Sequence, residues 1–229
     1  MWRRAVSSVK KYVQNVSDFR SPEEVTLFSF ASQADCARWE VFTDSQLGGR
    51  SVAELQHDPK GASGAGVAVF SGELSGEKEG VKPGQRVLRK TGFCGLRSLS
   101  PDSWAAEPYL DLEPYNVLGF KVKGDGRPYL ASIRTDNWSA PPGAPPDLWQ
   151  AFVFAPAGEW TRVEVPLKRF ILTWRGRVIE QPLEMSTNRV VSLGLSLAIG
   201  DKLQKPGAFG LEIESIFAAR RDDLEDIMS

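Results

Sequence analysis

The chain has 229 residues, 41% of them hydrophobic and 25% charged, with 28 basic and 29 acidic side chains and a formal net charge of −1. That length can bury a single core, the balanced charge leaves no global electrostatic footprint for nucleic acid, and no apolar run approaches the ~20 residues that cross a bilayer as a helix. Two cysteines, Cys36 and Cys94, are too few for a disulfide framework and point to a reducing compartment with both thiols free.

Residues 1–20 stand apart. Arg3, Arg4, Lys10 and Lys11 precede any acid, while Trp2, Val6, Val9, Val13 and Val16 recur at three- and four-residue steps and share one helical face. The spacing predicts a basic amphipathic helix, either an import presequence or a retained helix that lies on a membrane or a partner. Residues 21–219 read differently. Short β-rich runs at 25–30, 50–55, 66–70, 87–90, 117–123, 129–134, 150–154, 161–165, 191–198 and 209–216 are mostly separated by Gly, Pro, Asp or Ser clusters. Strands at this spacing, without long helical periods between them, predict an all-β antiparallel sandwich in one domain. Asp125-Gly126, between two such runs, predicts a hairpin. Long loops are expected at 72–85, 136–148 and 171–188, and residues 220–229 read as a solvated acidic tail.

Several motifs recur in order along this frame. Asp44-Ser45 and Gly48-Gly49 follow Trp39 and precede a run alternating from Ser51, which places a tight backbone reversal before a strand, because glycine adopts positive φ without steric cost. Further along come Phe70-x-Gly72-x-Leu74, Gly92-Phe93 with Arg97, Gly124-Asp125-Gly126-Arg127-x-Tyr129, Trp149-Gln150-x-Phe152, Trp160, Val165-Pro166-Leu167 with Phe170, Arg175-Gly176, and Gly207-x-Phe209-x-Leu211-Glu212-Ile213. The ordered set, running from Phe28 to Ala218, resembles the complex I intermediate-associated protein family, the thirty-kilodalton assembly factors of mitochondrial respiratory complex I. The resemblance implies a galactose-binding-like jelly roll. It also implies a non-catalytic, chaperone-like role in the mitochondrial matrix, peripheral association with the inner membrane, and binding to complex I membrane-arm subunits and other assembly factors. It implies no cofactor.

Catalytic chemistry has little support in the residues. His57 is the single histidine, beside Asp58-Pro59, and reads as an exposed turn residue; no Gly-x-Ser-x-Gly elbow accompanies it. Cys36 and Cys94 lack metal-pair spacing. Gly61-Ala62-Ser63-Gly64-Ala65-Gly66 lacks the spacing of a dinucleotide fingerprint. Among seven tryptophans, Trp39, Trp149 and Trp160 flank strands and are expected in the core, whereas Trp138 and Trp174 fall in polar or irregular stretches, where an exposed ring could meet a partner, a membrane or a ligand. The alternative on the same fold is a carbohydrate-binding module, which needs an exposed aromatic platform.

Overall fold

The computed structural model of the chain describes residues 21–61, 64, 66–77, 91–101, 107–137, 145–174, 176–180, 183–200 and 204–222. The predicted N-terminal helix with Trp2, Arg3, Arg4, Val6, Val9, Lys10, Lys11 and Val13, the predicted strand at 87–90, Trp138 and residues 223–229 of the tail lie outside the described residues.

Alternation between core-facing apolar and outward side chains builds the strands. In β7 (Pro128–Thr135), Tyr129, Ala131 and Ile133 are buried while Leu130, Ser132 and Arg134 face outward. Among the described residues the other strands in chain order are β1 (Glu24–Ser29), β2 (Trp39–Thr43), β3 (Val52–Asp58), β4 (Val67–Leu74), β5 (Phe93–Ser98), β6 (Val117–Lys123), β8 (Asp147–Phe154), β9 (Trp160–Pro166), β10 (Ile171–Trp174), β11 (Arg177–Val178), β12 (Val190–Ala198) and β13 (Gly207–Ala219), with a short helix, α1 (Gln33–Cys36).

Two antiparallel sheets form a sandwich of jelly-roll type. One has the order β3-β4-β13-β6-β9, with β1 pairing the C-terminal half of β13; the other runs β11-β10-β8-β7-β12-β5-β2. The chain crosses repeatedly from sheet to sheet. Between them lie Phe28, Phe30, Phe70, Leu96, Phe120, Tyr129, Leu193 and Leu195, all buried. The Trp39 ring meets Phe28 edge-on at 5.0 Å and Phe30 at 5.5 Å. Each such side chain contributes roughly 1.5–3 kcal/mol on burial, so the core outweighs any single surface feature described below.

Several expectations are corrected. Asp125-Gly126 does not close a hairpin: β6 pairs with β9 and β13, whereas β7 pairs with β8 and β12 in the other sheet. Gly126 has the positive φ of 83° that suggests a hairpin, but the Asp125 carboxylate accepts Arg127 N–H at 2.9 Å and Gly210 N–H at 2.9 Å, which turns the chain across the sandwich edge onto β13. The stretch expected as a loop at 72–85 begins inside β4, and that at 171–188 holds β10 and β11. Trp160 is only half-buried, since β9 is an edge strand. His57 is no turn residue. It lies within β3, half-buried, and its Nε2 is sealed beside Gly66, where a β-carbon would come within 2.2 Å of it. Arg220 and Arg221, placed by sequence in the tail, are fastened to the sandwich: Arg220 donates to the Pro114 carbonyl and Arg221 to Glu164 and Glu24.

Candidate partner-binding face

The two outer faces differ in chemistry. On the six-stranded sheet the outward cations are matched by carboxylates: Lys121 with Glu214 at 2.6 Å, Lys123 with Glu212 at 2.8 Å, and Arg162 and Arg221 with Glu24 and Glu164. The hydrogen bond from Arg221 holds the Glu164 carboxyl below the usual carboxylate range, against the opposing effect of burial. Arg162 also lies 4.0 Å over the Phe217 ring, and that ring fills the space a side chain on Gly119 would need. This face is closed by its own side chains.

The seven-stranded sheet presents another surface. Strand register places Phe152 (β8), Leu130 (β7), Ser196 (β12), Gly95 (β5) and Phe42 (β2) in one cross-strand row, with Gln150, Ser132, Gly194, Arg97 and Glu40 in the next. On the β8 flank Phe152 and Phe154, 46% and 62% exposed, stack at 5.8 Å and 28°. On the β2 and β5 flank Phe42 and Phe93 pair at 6.4 Å. Between the flanks Ser132, Gly194 and Ser196 are small, and Leu130 is half-buried. Gly95 is required there, because a β-carbon would lie 2.3 Å from Cζ of Phe42, whose ring covers it. Four strand spacings of ~4.8 Å separate β8 from β2, so the trough spans roughly 19 Å, and a helix with its side chains is about 10–12 Å across. Exposed apolar side chains grouped in this way mark interaction surfaces more often than scattered ones do.

Arg97 and Arg134 supply the charge on this face. Arg97 donates Nε–H to Glu40 at 2.8 Å, and its terminal nitrogen also binds that carboxylate. Arg134 lies diagonally across β12 from Arg97, half-buried. Among the described residues no carboxylate comes within ion-pair distance of it. Burial pulls the Arg134 guanidinium below the ordinary arginine range, Arg97 adds to that and Glu40 opposes it.

The residues singled out by sequence lie elsewhere. Thr43 caps the 3-10 turn Asp44–Leu47, Gly48 ends it at φ 87°, and Ser45 is exposed. Asp44 is fully buried; its carboxylate accepts Ser51 N–H at 3.0 Å and Gly92 N–H, tying the start of β3 to the start of β5. Gly124 is buried against Ala155, and Arg127 reaches the Lys205 carbonyl at 2.7 Å. Trp174 ends β10 half-exposed, on the side of the sheet opposite Thr173 and Ile171. None of these lines the aromatic trough. The trough was missed because its residues are scattered over five strands, although one local signal existed. From Trp149 to Phe154 β8 is apolar on both sides except for Gln150, which is unusual for an antiparallel strand with one face in water.

Comparison with known proteins gives the kinship. The chain is 30% identical over 230 residues to "Complex I intermediate-associated protein 30, mitochondrial" of Drosophila melanogaster, covering 94% of this chain and 69% of that one. It is 29% identical over 192 residues to the Mus musculus protein of the same name, covering 83% of this chain and 54% of that one. The Neurospora crassa protein of that name is 27% identical, with 97% and 84% covered. In fold the chain is similar to the family 11 carbohydrate-binding module of Clostridium thermocellum, solved in complex with a mixed-linked tetrasaccharide (TM-score 0.59, 15% identity, 87% of this chain and 97% of that one). A second structure of the family 11 module, from cellulase Lic26A-Cel5E, gives a TM-score of 0.60 at 12% identity, covering 88% and 96%. At these identities the likeness concerns the fold alone. The profile of the family described as Complex I intermediate-associated protein 30 matches residues 28–213, and the chain belongs to that family.

Proposed function

We propose that this chain is a non-catalytic assembly factor of mitochondrial respiratory complex I, which holds membrane-arm intermediates on the matrix side of the inner membrane together with other assembly factors. The observation that carries the reading is membership of the family over residues 28–213. The structure supplies a surface suited to it: the outer face of the seven-stranded sheet carries two aromatic pairs around a shallow trough, while the opposite face is closed by ion pairs. A holding role needs apolar surface for an unfinished subunit and no reacting group, and His57, the single histidine, has its Nε2 sealed beneath Gly66 rather than open to a substrate. The basic segment at 1–17 would add contact with the anionic membrane surface.

Deletion of the protein followed by native-gel separation of mitochondrial membranes tests this. Stalled membrane-arm intermediates, restored by the full chain, are the expected result, and normal amounts of finished complex I in the deletion strain would refute it. The stacked, exposed Phe152 and Phe154 also favour a second reading, a glycan-binding module. Saturable micromolar binding on a glycan array would promote that reading.

A further inference from the structure

We infer that the outer face of the seven-stranded sheet receives a polypeptide segment that presents a carboxylate to Arg134, flanked by apolar side chains that pack on the Phe152–Phe154 and Phe42–Phe93 pairs. The inference deepens the proposed function by naming the chemistry of the partner, and it rests on that reading for the identity of the partner as a complex I assembly component.

Three observations carry it. First, the other cations named on the two sheet faces, Lys121, Lys123, Arg162, Arg221 and Arg97, each have a carboxylate partner within the chain, whereas among the described residues Arg134 forms no ion pair. A guanidinium partly withdrawn from water is costly to leave unmatched, and its planar fork suits two parallel bonds to one carboxylate. Second, Glu40 cannot serve, because it is engaged by two nitrogens of Arg97. Third, Arg134 is half-buried and, among the described residues, none of its guanidinium nitrogens is sealed from solvent, so the group is approachable from outside the sheet. A neutral sugar stacked on the phenylalanines would leave this charge unmatched. An acidic segment with apolar neighbours satisfies both the charge and the rings.

The test uses the full chain in its own mitochondria. A photo-reactive benzoylphenylalanine at position 154 is cross-linked to its neighbour, and the captured peptide is sequenced. The expected peptide comes from a complex I subunit or assembly factor and has Asp or Glu about 20 Å from the adduct, roughly six residues of extended chain, which is the separation the register sets between positions 154 and 134. A synthetic copy of that segment should bind the wild type, bind Arg134→Gln roughly 10- to 100-fold more weakly, and bind Arg134→Lys with intermediate affinity. Replacing its acid by the amide should abolish the difference between wild type and Arg134→Gln. Thermal melts check that each variant folds, and if Arg134→Gln does not fold, Arg134→Lys and a double Phe152→Ser, Phe154→Ser variant test the charge and the rings in its place.

A captured segment without an acid, or one bound equally by wild type and Arg134→Gln, overturns the inference. So does binding of a mixed-linked β-glucan tetrasaccharide that is insensitive to Arg134. Full rescue of complex I assembly by Arg134→Gln in the deletion strain overturns the inference and leaves the assembly role standing. Normal assembly in the deletion strain itself refutes the assembly role and leaves the peptide measurements to judge the chemistry.

Discussion

A β-carbon on Gly49 would lie 2.1 Å from Cγ of Asp44. The glycine is therefore the space in which the buried carboxylate sits, and that carboxylate holds the Ser51 and Gly92 N–H groups 7 and 48 positions away along the chain. We predict that Gly49→Ala expels the carboxylate and destabilises the fold by about 2–4 kcal/mol, and that Asp44→Ala, which leaves two buried donors unmatched, costs a similar amount. Gly48→Val should cost about 1–2 kcal/mol through its left-handed φ alone. Urea unfolding measures all three. An unchanged midpoint for Gly49→Ala would remove the fastening role.

A second prediction concerns the thiols. Burial, helped by the charge of Asp44 and opposed by a hydrogen bond from Ser51, pushes the Cys94 thiol up to about 12. Burial and the charge of Asp35 also raise Cys36. Both should resist iodoacetamide at pH 8 until the protein unfolds. The neutral Cys94 thiol contributes stability that is complete below about pH 9 and is lost as pH rises towards 12, because the unfolded chain ionises first. The loss approaches at most ~4 kcal/mol. Rapid alkylation of the native protein at pH 8 would contradict this.

How far the sequence carries the fold differs by strand. β6 (Val117–Lys123) was legible at both ends, since its buried side starts and stops with the apolar pattern and Gly124 follows. β5 was not. Gly95 in its middle lowers strand propensity, and only the Phe42 ring on the neighbouring strand shows why glycine is needed there. β2 was hidden for a related reason, because Trp39 and Phe42 face opposite sides and no alternation of polar with apolar betrays the strand. The turn motif at Asp44 and Gly49 was visible because its residues are close in sequence. The trough was invisible because it exists only once the register sets Phe152, Leu130, Ser196, Gly95 and Phe42 side by side. Arg134 reads as an ordinary solvated arginine until its lack of a partner on that face is known.

Acid should weaken the molecule through carboxylates held by arginines. The hydrogen bond from Arg189 lowers Asp136, with Tyr109 assisting, and the hydrogen bond from Arg221 lowers Glu164. Folded values below the unfolded ones give stability that is complete above the unfolded pKa and lost as pH falls through the folded value. Because these pairs are partly exposed, screening keeps the effect modest. We predict that the urea midpoint falls between pH 5 and pH 2.5, and that Arg221→Gln flattens this dependence. An Arg221→Gln profile parallel to the wild type over that range would disprove the assignment.

The aromatic pairs allow stability and function to be separated. Phe152 and Phe154 are about half in water, so a double change to serine forfeits only part of their burial, and the variant should stay within about 2 kcal/mol of the parent. Complex I assembly in a deletion strain should nonetheless fail. If assembly proceeds normally with this variant, the partner docks on another surface.

The last prediction concerns residues 1–17. Arg3, Arg4, Lys10 and Lys11 precede the first acid, and Trp2, Val6, Val9 and Val13 recur at the three- and four-residue spacing of an amphipathic helix. Four cations near an anionic surface contribute at most roughly 4 kcal/mol, about 1 kcal/mol each, an attraction that salt screens over a Debye length of about 8 Å. Association with inner-membrane vesicles should therefore survive a low-salt wash and fall in 0.5 M salt, a concentration chosen at roughly three times physiological ionic strength. Replacing all four cations by glutamine should abolish it, while thermal stability stays near the parent value. Sequencing the N-terminus of the protein isolated from mitochondria decides between this role and import. A chain that begins after Ser17 would make the segment an import signal, and membrane binding would then have to arise from the sandwich itself.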